Sequence, residues 1–122
     1  MSRLFLLSGA VFGFLSVALG AFGAHSLKPF LDAYGQDIWE KAVLYQMFHT
    51  VALFITGLLQ QHFKNLNFAV SGYAFIAGII LFSGSLYVLA LSKISMLGLI
   101  TPFGGVAFLV GWFFMAYRLT RI

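Results

Sequence analysis

Four apolar stretches, Leu4 to Ala24, Ile38 to Leu59, Leu66 to Leu91 and Leu97 to Tyr117, take up most of the chain, and nearly every charged residue falls between them or at the ends. Each is close to the ~20 residues that a helix needs to cross ~30 Å of hydrocarbon. The pattern predicts an all-α integral membrane protein: a four-helix transmembrane bundle in one domain over residues 1–122, with helices over about 4–24, 38–60, 66–91 and 97–118. Composition excludes the alternative of a soluble domain, because 61% of the residues are hydrophobic and only 8% charged.

The charge balance does not point to nucleic acid. The net charge of +4 comes from seven Lys and Arg scattered singly at helix ends, where cations reach toward lipid headgroups, and there is no basic patch. The absence of cysteine rules out disulfides and thiolate metal sites. Arg3 ahead of an apolar run resembles the start of a secretory signal, but the run exceeds the usual apolar core of about 7 to 15 residues, so the segment is expected to remain as a span.

Between the first two spans, Pro29 stops a simple helical continuation. Leu27, Phe30, Leu31 and Tyr34 alternate with Lys28, Asp32 and Gln36, as in a short interfacial segment lying on the membrane surface. Asp37-Ile38-Trp39-Glu40 has the spacing of a capping box and predicts that helix two starts at Ile38. Lys64, Asn65 and Asn67 leave room for only a tight turn, which makes helices two and three a hairpin. The long third segment must tilt, project or bend near Ser83-Gly84-Ser85. Thr101-Pro102 reads as an N-cap and first-turn proline, placing the start of helix four at Pro102 with Ser92 to Ile100 along the interface; the alternative is one kinked helix from Leu97. With four crossings, Arg3, Lys64, Arg118 and Arg121 share the side of the termini, whereas Lys28, Lys41, Lys93 and all three acids lie opposite, so the termini are expected in the cytoplasm.

Gly9, Gly13, Ser16 and Gly20 repeat every three or four residues, a small-residue face for close helix packing either within the bundle or between copies. Helices three and four carry shorter versions at Ala74, Gly78 and Ser85 and at Gly104, Ala107 and Gly111, with phenylalanines expected to fill gaps opposite glycine and to cover lipid-facing sides. His49 lies about 16 Å into helix two, near mid-bilayer, where an ionisable group is costly and counts as a functional candidate. Tyr45, Gln46 and Thr50 accompany it as a candidate polar seam, though a neutral imidazole bonding across helices would give the same pattern. His25 is about 12 to 16 Å away in height, too far for a shared metal, and is expected to cap helix one; His62 is expected to be solvated. No triad or phosphate loop is present, so neither an enzyme nor a bound cofactor is predicted.

Gly20-Ala21-Phe22-Gly23-Ala24-His25, Tyr45-Gln46-Met47-Phe48-His49, Phe82-Ser83-Gly84-Ser85-Leu86-Tyr87 and Thr101-Pro102-Phe103-Gly104-Gly105 resemble, in order and spacing, motifs of the YgdD/YwdK-like (UPF0382-type) family of small multi-pass membrane proteins. The resemblance marks His25, His49, Ser83, Gly84, Pro102 and Gly104 as family-motif residues. It implies a four-helix protein of the bacterial inner membrane and brings no activity with it. Two function classes stay open. One is a structural or binding bundle that self-associates or supports a membrane partner in the lipid bilayer; the other is a transport or permeation component passing protons or a small solute along the His49 seam. A lipophilic cofactor site would rest on aromatic richness alone.

Overall fold

The computed structural model describes all residues, Met1–Ile122, and contains four helices long and apolar enough to cross a membrane. They are α1 (Ser2–Ala24), α2 (Ala33–His62), α3 (Ala69–Ser92) and α4 (Thr101–Leu119). Helix α1 lies along α2, α4 lies along α3, and α2 packs on α3, so the middle pair buries the most surface.

The core has two apolar parts. Phe5, Leu53, Phe75, Ile79, Phe108 and Met115 fill the half nearer the chain termini. Leu31, Ile38, Trp39, Leu86, Leu89 and Ala90 fill the other half. Between them lies a layer of buried polar side chains, Ser16, Gln46, His49, Thr50 and Ser83.

Helix α2 begins at Ala33 rather than Ile38. The N-cap is Asp32, whose carboxylate accepts from the Gly35 amide at 2.6 Å. A Cβ on residue 35 would stand 3.0 Å from that carboxylate oxygen, so glycine three residues after the aspartate keeps the cap uncrowded. Asp37 is inside the helix and pairs with Lys41 at 3.0 Å. The interfacial segment shrinks to a few residues around a 3₁₀ turn, Lys28–Phe30, with Leu31 buried under the bundle and Phe30 facing outward. In the α2–α3 link Gln60 donates to the Leu66 carbonyl at 2.9 Å and accepts from the Phe68 amide at 2.7 Å, while the Asn67 side-chain oxygen accepts from the Ala69 amide at 2.8 Å.

The irregularity in α3 is a π-helical turn at Ile79–Ser83, where the Gly84 amide reaches back to the Ile79 carbonyl. It ends at Ser83 and so overlaps the Ser83-Gly84-Ser85 stretch near which the sequence predicts that the segment tilts, projects or bends, and it does not depend on the small size of Gly84, which has open space around it. Helix α4 starts at Thr101 with Pro102 in its first turn, preceded by a 3₁₀ turn at Ser95–Leu99. Thr101 is not the N-cap; Ile100 holds that place, and the Thr101 hydroxyl pairs instead with Ser85 Oγ at 2.6 Å, tying α4 to α3.

Glycines and aromatic rings interlock across the helices. Phe5 fills the space over Gly72, Phe108 that over Gly78, Phe75 that over Gly111, and a Cβ at Gly104 would collide with the backbone of Phe82 at the π turn. Backbone cannot rotate away as a side chain can. Gly104→Ala is therefore expected to destabilise the bundle by about 1–3 kcal/mol. Gly84→Ala, with nothing within 4 Å, is expected to be neutral or stabilising. Unfolding midpoints of both variants in detergent micelles check this pair, and equal losses would contradict it.

Candidate functional site

The candidate site is the polar layer, and α2 supplies most of it. At a helical spacing of three to four residues, Gln46, His49 and Thr50 share the buried face of α2. In hydrocarbon a buried polar group has no water to turn to, so its partners must come from its own helix or from the neighbouring ones.

His49 has both ring nitrogens engaged. Nδ1 lies 2.8 Å from the Tyr45 carbonyl one turn back, and Nε2 accepts from the Trp112 indole N–H of α4 at 3.0 Å. A carbonyl only accepts and an indole only donates, so the pair of contacts selects the neutral tautomer with the proton on Nδ1. The ring lies flat on Phe108, with centroids 3.6 Å apart and planes 9° apart, and Phe48 and Phe75 close its sides. The imidazole is a packed tie between α2 and α4.

Gln46 extends the layer to the other two helices. Its amide nitrogen donates to the Phe12 carbonyl of α1 at 3.0 Å, and its amide oxygen accepts from the Tyr87 hydroxyl of α3 at 2.6 Å. Ser16 donates to the same Phe12 carbonyl at 2.7 Å, and Ser83 reaches the Ala42 carbonyl at 2.7 Å. Nearby, the Trp39 indole donates to the Leu19 carbonyl at 2.9 Å.

Two expected members behave differently. The Tyr45 side chain is 41% exposed, stacked on Phe82 and near-parallel to the His49 ring at 6.2 Å, but its hydroxyl makes no bond in the seam and its carbonyl is the group that His49 reaches. Thr50 is buried, but its hydroxyl has no partner. Its methyl lies toward Gly13, where a Cβ would come within 3.5 Å, and this orientation spends the side chain on packing rather than on the bond to the carbonyl four residues back that Thr56 makes.

The small-residue face of α1 lies against α2: Gly9 under Phe54, Gly13 beside Thr50, Gly20 beside Val43, with Ser16 buried between them. His25 follows the last turn of α1 but does not cap it with its ring, since backbone amides of His25 and Leu27 reach the Ala21 and Phe22 carbonyls. Its ring and that of His62 are exposed, far from the aromatic surroundings of His49. No three His, Cys, Asp or Glu side chains are grouped to hold a metal ion. Sequence reading missed Trp112 and Tyr87. The available signal was a donor-bearing ring within a span, which needs an acceptor when buried.

These features define the class: a multi-pass helical membrane protein whose helices are joined by buried polar ties at mid-span. The chain belongs to the family described as "Protein of unknown function (DUF423)", whose model matches residues 19–105. It is 46% identical over 110 residues to the UPF0382 membrane protein SAB0533 of Staphylococcus aureus, covering 90% of this chain and 89% of that one. It is 41% identical over 111 residues to the UPF0382 membrane protein YwdK of Bacillus subtilis, covering 90% of each. Over 120 residues it is 42% identical to the UPF0382 membrane protein SSP2132 of Staphylococcus saprophyticus, covering 98% of this chain and 99% of the relative. No solved structure matches.

Trp112→Phe keeps an aromatic ring beside Phe48 and Phe75 while removing the donor to His49. It is expected to cost about 1 kcal/mol in an SDS unfolding titration. A second loss of similar size from His49→Phe should not add to it, because both variants break the same tie.

Proposed function

We propose that the protein is a structural or binding component of the bacterial plasma (inner) membrane, a closed bundle that associates with itself or with a larger membrane partner and performs no enzymatic reaction. The observation that carries this reading is the state of His49. Both ring nitrogens are taken and one face is covered by Phe108, so no lone pair is left to accept a proton in transit or to bind a solute. A permeation role would require the Trp112 bond to break and water to replace the packed rings.

The surface for association is the outer side of the bundle. The α1 stripe of Gly9, Gly13 and Gly20 already lies on α2 and is not free for a second copy. Helix α4 turns Val106, Leu109, Val110 and Phe113 outward at helical spacing, a face suited to another transmembrane helix as well as to lipid. We place both termini in the cytoplasm, because four cations, Arg3, Lys64, Arg118 and Arg121, lie at that end against three, Lys28, Lys41 and Lys93, at the other.

Reconstitution tests the reading. Liposomes holding the protein are expected to leak protons no faster than empty ones, with His49→Ala causing no change in flux. Energy transfer between labelled copies is expected to fall when Leu109 and Phe113 are replaced by alanine, or to be absent if the partner is another protein. A proton or solute flux that disappears in His49→Ala would overturn it.

A further inference from the structure

At the end of the bundle away from the termini, the last turns of α1 and the first turns of α2 enclose a cleft of about 460 Å³. Lys28 and Glu40 both line it, beside Gly23 and Trp39, and the cleft continues over Leu44 and Met47. The two opposite charges share this space without pairing: the one ion pair of the protein joins Lys41 to Asp37, and neither the Lys28 ammonium nor the Glu40 carboxylate has a hydrogen-bond partner. The Trp39 indole N–H is committed to the Leu19 carbonyl, so the tryptophan offers the cleft only its ring.

The direction of the cleft matters as much as its charges. Glu40, Leu44 and Met47 are spaced by four and three residues and so follow one face of α2, with Met47 about 10 Å deeper along the helix than Glu40. Leu44 and Met47 are 63% and 48% exposed, which lays an open apolar track toward the bilayer interior below a polar mouth. A cation and an anion at headgroup level above an acyl-chain track match a molecule with a phosphate, an amine and a hydrocarbon tail.

We propose that this cleft binds an amine-bearing phospholipid, with the lipid phosphate at Lys28, its ammonium at Glu40 and one acyl chain along Leu44 and Met47. An anionic lipid without an amine would meet Lys28 equally well but would set its headgroup against an uncompensated Glu40 carboxylate. A soluble peptide would leave the apolar track uncovered in lipid. The site goes beyond the scaffold role and stands whether or not the bundle associates with a partner.

Native mass spectrometry of the full chain released from nanodiscs of equal phosphatidylethanolamine and phosphatidylglycerol tests the assignment. The unaltered protein is expected to retain one phosphatidylethanolamine in preference to phosphatidylglycerol by about five-fold. Glu40→Gln should bring the two lipids to parity, and Lys28→Gln should reduce retention of both. Both side chains are exposed and free of protein partners, so the variants should keep the helicity and elution volume of the parent. Equal retention of the two lipids by the unaltered protein, or a preference that survives Glu40→Gln, would overturn the proposal.

Discussion

The lack of water at the centre of a bilayer is the constraint on which this structure depends. A polar side chain at that depth is stabilised only by groups that the protein itself provides, either a carbonyl one turn back in its own helix, as for Ser16, or a partner on a neighbouring helix, as for Gln46 and His49. The chain concentrates such residues in one layer between two apolar halves of the core. Gln46 reaches α1 and α3, and His49 reaches α4, so that α2 is bonded to all three other spans. The hydrocarbon around the bundle favours no particular helix pairing, because lipid tails are as apolar as leucine. Directional bonds and close packing must therefore choose the partners.

Packing takes the form of glycine facing aromatic ring. Over Gly72, Gly78 and Gly111 a phenylalanine from another helix occupies the space that a side chain would need. The π turn at Ile79–Ser83 belongs to the same scheme. It sets Phe82 against Gly104 and leaves Ser83 and Ser85 to bond α2 and α4. An extra residue in one helical turn thus serves contacts with two neighbours at once.

Much of this was legible in the sequence, and the limits have physical causes. Span length and hydropathy are properties of single helices, so the four crossings could be read directly. The depth of His49 also follows from counting along one helix. Its tautomer does not, because Trp112 lies 63 residues away and only the fold brings the indole to the ring. The start of α2 was misread because two aspartates compete: Asp37 has the capping-box spacing, while Asp32 has a glycine at the position where its carboxylate meets an amide. The partial exposure of Tyr45 was equally hidden, since it lies one turn from His49 on the same side of α2 and only the packing of Phe82 fixes how far its ring reaches out of the bundle.

The central claim is that His49 is a neutral, doubly bonded tie rather than a group in motion. It is tested most directly by the nitrogen chemical shifts of the His49 ring in the bilayer-embedded protein, with single ¹⁵N-histidine labelling and assignment through a His49→Gln control. The account predicts a protonated Nδ1 and a bare, hydrogen-bonded Nε2 that shifts when Trp112 is replaced by phenylalanine. An imidazolium at neutral pH, the opposite tautomer, or shifts insensitive to Trp112 would contradict it.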